Sequence, residues 1–124
     1  MKFRYARHTN NIAALEEFYT KVLGLKELGR FENHSGYNGI FLGLPDKDWH
    51  LEFTECMEEV HHFPDDDDLI VFYLESQSEL SRILNNLKSH GIRTKTSKNP
   101  YWNNNGIEIK DPDGFGVILT LREK

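Results

Sequence analysis

Two pairs of landmarks stand the same distance apart in this chain. Gly24 and Gly91 each end an apolar helical stripe and lie 67 residues apart (91 − 24). Pro45-Asp46 and Pro112-Asp113 each mark a turn, and they are separated by the same 67 residues (112 − 45). One offset shared by two landmarks, with the elements between them in the same order, is the sign of an internal duplication. The chain therefore has to fold as two copies of one small unit, each with a sheet face that needs covering.

The first copy reads strand, helix, strand, strand, strand. Phe3 to Arg7 alternates as a short strand, with Phe3 and Tyr5 on one face and Arg4 and Ala6 on the other. Thr9, Asn10 and Asn11 offer N-cap oxygens, and Ile12, Leu15, Phe18, Tyr19, Val22 and Leu23 follow at helical spacing. Strands are expected over Leu25 to Phe31, Gly39 to Leu44 and Trp49 to Thr54. In the second copy, Leu69 to Leu74 is an apolar strand and Ser76 with Glu79 has capping-box spacing. Leu80, Ile83, Leu84 and Leu87 form the helical stripe. Further strands are expected over Ile92 to Thr96, Gly106 to Lys110 and Phe115 to Leu121, with a polar, aromatic loop from Ser97 to Asn105.

This gives an α+β fold of two βαβββ modules, their strands forming a curled mixed sheet with helices outside and a central cup. Residues 1–124 make one domain, with module one over about 1–56 and module two over about 69–124. Between them, about 57–68, lies a connector with His61, His62 and four consecutive aspartates, Asp65 to Asp68. Such a dense like-charge run reads as a solvated loop.

The strand Trp49-His50-Leu51-Glu52-Phe53-Thr54 carries the most chemistry. Leu51 and Phe53 point one way; His50, Glu52 and Thr54 point the other. A row of imidazole, carboxylate and hydroxyl is an unusual one to hold on a sheet face for packing alone. His50 and Glu52 are candidates for a general base with its orienting partner, or for a hydrogen-bonded pair at a sheet edge. Cup-facing positions also include Arg4 and the alternating set Leu69, Val71 and Tyr73. Tyr101 and Trp102, beside the asparagine run 103–105, suit a pocket lip or a packing contact between modules or subunits.

The net charge of −5, without a basic cluster, argues against nucleic acid as partner. The single cysteine, Cys56, forms no internal disulfide and points to a cytoplasmic setting. No neighbour in sequence marks it as an activated nucleophile, so it reads as structural. No signal peptide and no run of membrane-spanning length is visible.

The paired modules, the Phe18-Tyr19 helix with Leu23-Gly24-Leu25 behind it, and the Asp111-Pro112-Asp113-Gly114 turn resemble the vicinal oxygen chelate superfamily. This is the glyoxalase I, bleomycin-resistance and extradiol-dioxygenase group. Within it, Arg4-Tyr5-Ala6-Arg7, His50 to Thr54 and Asn99-Pro100-Tyr101-Trp102 resemble a branch of small bacterial glyoxalase-like proteins. The resemblance implies four metal-ligand positions, on the first and last strands of each module. They fall on Arg4, Glu52, Leu69 and Ile118. Only Glu52 can bind a metal, and a permanently charged Arg4 would repel one.

The resemblance thus implies no cofactor, with a divalent metal as the alternative. The expected role is binding a small polar or anionic molecule in the cup, lined by Arg4, Arg7, His50, Glu52, Tyr73, Tyr101 and Trp102. Arg4 or Arg7 would grip a carboxylate or phosphate through paired hydrogen bonds, or Arg4 would staple Glu52 where relatives hold a cation. The metal-free bleomycin-resistance relatives imply a homodimer. The alternative activity is that of a metal-dependent lyase, isomerase or dioxygenase.

Overall fold

The structure, a computed structural model, describes residues 1–122. The chain forms two compact units, Met1–His61 and a second that begins at His62.

In the first unit, β1 (Phe3–His8) leads into α1 (Ile12–Glu17), then β2 (Lys26–His34), β3 (Tyr37–Gly43) and β4 (Trp49–Glu55). The sheet order is β1-β4-β3-β2. β1 lies parallel to β4, while β3 is antiparallel to both β4 and β2. A parallel pair needs a crossover between its strands, and the helix supplies it. Asn11 caps α1 by accepting from the Ala14 amide at 3.1 Å. Alternation sorts the strands as expected: Ile40, Leu42, Leu51 and Phe53 are buried, and Tyr19 stacks on Phe53 with ring centroids 5.3 Å apart. The odd-numbered face of β4 is thus the helix-covered core face.

The helix itself departs from the expected single α-helix. Beyond Glu17 it continues as a π-helical turn over Phe18–Val22. The Leu23 amide donates to the Phe18 carbonyl at 3.2 Å, five residues back. The apolar residues Phe18, Tyr19, Val22 and Leu23 all stay buried through this wider turn. Gly24, at φ 89°, then stops it.

In the second unit, β5 (Leu69–Leu74), α2 (Gln77–Ser89), α3 (Pro100–Asn105), β6 (Ile107–Lys110) and β7 (Gly116–Leu121) follow in order. The sheet is β5-β7-β6, with β5 parallel and β6 antiparallel to β7. Central β7 is buried on both faces, which accounts for the apolar run Val117-Ile118-Leu119. Ser76 caps α2, accepting from the Glu79 amide at 3.1 Å.

Two expectations are corrected here. Ile92 to Thr96 is not a strand; its pairing is one isolated bridge, Lys95 to Glu108. The Ile92 amide is turned back onto Leu87 at the helix end, and the Ser97 amide is taken by the Asn103 side chain at 2.7 Å. The neighbouring backbone groups thus bond locally rather than along a ladder. The stretch Ser97 to Asn105 is not wholly a loop either. Asn99 accepts from the Tyr101 amide at 3.1 Å and Pro100 opens the helical turn, a favourable start for a short helix.

The acidic run closes on itself. The Asp65 amide donates to the Asp68 carboxylate and the Asp67 amide to the Asp65 carboxylate, both at 2.9 Å.

Candidate functional site

The even-numbered face of β4 carries His50, Glu52 and Thr54, opposite Arg4, Ala6 and His8 of β1 in register. On the other side, β3 contributes Gly43, Phe41 and Gly39 opposite the same three residues. The parallel register brings Arg4 diagonally onto Glu52, with Nη1 3.4 Å from Oε1. The Glu52 side chain is only 14% exposed, whereas Arg4 is 53% exposed. The carboxylate is thus sunk into the sheet, and the guanidinium covers it with further N–H groups open to solvent.

His50 sits next to this pair, with Phe41 edge-on at 5.5 Å between centroids. Burial, with Lys2 and Arg4 nearby, holds its imidazole below the usual histidine value, against the opposing influence of Glu52. The site therefore presents a guanidinium, a shielded carboxylate and a predominantly neutral imidazole beside an aromatic wall of Phe41 and Phe31, whose rings are 5.9 Å apart. That arrangement can hold a small anion by the guanidinium while an apolar part lies on the rings.

Arg7 is not part of this row. It lies on the other face of β1, 5% exposed, with its Nε donating to the Tyr5 hydroxyl at 3.4 Å and its guanidinium 5.4 Å from the Phe53 ring centroid. Strand alternation sends residues 4 and 7 to opposite faces, so only Arg4 reaches Glu52.

Tyr73, Tyr101 and Trp102 belong to the second unit. Tyr73 and Tyr101 are exposed, and Tyr101 stands edge-on to Trp102 at 4.9 Å. The position matching the superfamily's last ligand, Ile118, is fully buried between Val71 and Glu108 in register. Leu69 pairs with Gly116.

Sequence reasoning missed Glu108. It is 1% exposed, with Oε2 3.3 Å from Lys95 Nζ and 4.0 Å from Lys110 Nζ. The signal was the order Ile107-Glu108-Ile109, a carboxylate alternating with core residues. It also missed that His8, Thr54 and Cys56 meet at the far end of the β1–β4 face.

In the first unit Glu52 faces the Arg4 guanidinium, and in the second Leu69 and Ile118 carry no donor atom. Among the described residues no group of three or more His, Cys, Asp or Glu could hold a metal ion.

Residues 3–54 match the family model described as the YycE-like N-terminal domain, and residues 67–120 match the YycE-like C-terminal domain. The chain belongs to the YycE-like family. A YycE protein of Bacillus subtilis (strain 168) is 41% identical over 119 residues, covering 95% of this chain and 86% of that protein. The crystal structure of a Bacillus subtilis YycE protein of unknown function superposes with a TM-score of 0.89 at 39% identity, over 99% of this chain and 90% of that one. A trypanothione-dependent glyoxalase I of Leishmania major superposes with a TM-score of 0.74 at 19% identity, over 97% and 85% of the two chains. The YycE-like chain thus has the glyoxalase-like fold of the vicinal oxygen chelate superfamily. Among the described residues, no helix is long and apolar enough to cross a membrane.

Proposed function

We propose that this YycE-like protein binds a small polar or anionic molecule on the Arg4–His50–Glu52 face, without the superfamily's metal. One observation carries the reading: the arginine on the first-strand ligand position reaches the carboxylate on the last-strand position, 3.4 Å away. A permanent cation there neutralises the carboxylate that relatives of this fold would offer to a metal. The guanidinium is 53% exposed, and its planar N–H edge suits a carboxylate, phosphate or phosphonate. The working assembly in this reading is a homodimer.

The experiment is a thermal-shift and calorimetry screen of small carboxylate, phosphate and phosphonate probes against the wild type and Arg4→Ala. A stabilising probe whose affinity falls about tenfold or more in Arg4→Ala, equivalent to about 1.4 kcal/mol, supports the proposal. A probe bound equally by both proteins defeats it. The metal-dependent lyase, isomerase or dioxygenase reading keeps one observation in its favour, Glu52 at a ligand position. It requires nickel, zinc, manganese or iron to raise the melting temperature.

A further inference from the structure

A second chemical centre lies at the other end of the same strand pair. His8 and Thr54 are register partners, and Cys56 follows Thr54 on the same side one residue beyond the end of β4. The His8 Nδ1 stands 2.9 Å from Thr54 Oγ1, and its Nε2 stands 3.5 Å from Cys56 Sγ. With the proton on Nδ1 donated to the threonine hydroxyl, Nε2 presents its lone pair to the thiol. The nucleophile is thereby in hydrogen-bond reach of the base, and the base of a group that orients it. The Glu58 amide also donates to Sγ at 3.4 Å, which orients the sulfur.

The thiol is held in place. Asn10 clasps Val60 through two hydrogen bonds, Nδ2 to the carbonyl at 2.7 Å and Oδ1 from the amide at 2.8 Å, fixing the segment that follows Cys56. Cys56 lines a cleft together with Asn33, Asn38, Glu55, Glu58 and Glu59. Three carboxylates beside the thiol disfavour an anionic visitor, and the amides offer hydrogen bonds to a carbonyl oxygen.

We propose that Cys56, His8 and Thr54 form a reactive thiol site that captures neutral or cationic α,β-unsaturated carbonyl compounds by conjugate addition. His8 Nε2 takes the thiol proton as Sγ bonds to the β-carbon. The π pair of the C=C bond moves toward the carbonyl, and the proton held by His8 then passes to the α-carbon. Nothing is oxidised or reduced, and no co-reactant is consumed. Thr54 is a positioning residue that holds the imidazole. The site uses none of Arg4, His50 or Glu52, so it stands independently of the anion-binding reading.

The test follows addition of N-ethylmaleimide to the chain's one cysteine by mass spectrometry at neutral pH. The folded protein should react about tenfold or more faster than the same chain unfolded in urea, since base assistance is worth at least that. His8→Gln should fall to the unfolded rate with its melting temperature retained. Thr54→Val should slow the reaction and Thr54→Ser preserve it. A carboxylate-bearing maleimide should be disfavoured against N-ethylmaleimide more strongly in the folded than in the unfolded chain. A folded thiol no faster than the unfolded one overturns the proposal without any variant. An unchanged rate in folded His8→Gln overturns the role of the base, and equal treatment of the two maleimides overturns the ligand class.

Discussion

Arg4 Nη1 stands 3.4 Å from Glu52 Oε1, so a cation carried by the chain itself occupies the carboxylate of the central strand. The pair is asymmetric, with a shielded acid under a largely solvated base. Its value for stability is correspondingly small, because water screens the exposed partner.

Arg4→Ala and Glu52→Gln should each change the unfolding free energy by less than about 1 kcal/mol in urea titrations. Their effect on bound anions should be far larger for Arg4→Ala than for Glu52→Gln. Losses of several kcal/mol in folding would mean that the pair is chiefly a structural staple.

The imidazole of His50 gives the protein a pH dependence with a definite sign. Burial first, then Lys2 and Arg4, lower its proton affinity in the folded state below the usual value of 6.5. On acidification the unfolded chain therefore takes up this proton first, and stability falls. The His50 contribution is intact above the usual histidine value and is lost as pH drops through it toward the lower folded value. His50→Asn should flatten that part of the stability curve between neutral and mildly acidic pH. A steeper acid loss in the variant would reverse the sign.

Gly106 is placed by close approach rather than by its backbone angle. A Cβ there would lie 2.9 Å from Ile118 Cγ2 and 3.1 Å from the Leu119 carbonyl oxygen. Ile118 is fully buried and the carbonyl belongs to central β7, so neither yields easily. Gly106→Ala should destabilise the protein by about 1–3 kcal/mol, the range for overpacking a filled core. Equilibrium unfolding decides it, and an unchanged midpoint would show that β7 can shift.

Lys95 and Glu108 should be coupled. Removing Lys95 takes the nearest cation from a buried carboxylate, a change that costs about 3–5 kcal/mol for fully buried pairs. Lys95 is partly exposed, which reduces the expected loss to about 1–3 kcal/mol. In a Glu108→Gln background the same Lys95→Ala change should cost much less. A double-mutant cycle with no coupling energy would mean that Lys110 or solvent carries the compensation.

Local pattern made much of this molecule readable before its structure. Alternation along β3 and β4 separated Leu51 and Phe53 from Glu52 because the strand period is fixed by backbone geometry. Gly24 and Gly91 both adopt the left-handed angles that a helix-ending glycine permits. The failures share a cause as well. Ile92 to Thr96 has strand-like residues, but its backbone partners were decided by Leu87 and Asn103, which no local pattern reveals. The π-helical turn leaves the apolar residues in order and changes only how far the backbone rotates between them. Arg7 was grouped with Arg4 by residue type, although parity separates them. Cys56 read as inert because its base lies 48 residues away and arrives only through strand pairing.

The parallel alignment of β1 with β4 acts as a ruler with a functional mark near each end. The Phe3 amide donates to the Asp48 carbonyl at one end, and the Thr9 amide to the Thr54 carbonyl at the other, both at 2.8 Å. A slip of one residue would turn Arg4 and His8 away together. It would strip Glu52 of its cation and Cys56 of its base in one movement. The two centres are chemically separate yet mechanically inseparable. A substitution that disturbs the alignment should silence both, whereas one that damages only a side chain should silence one.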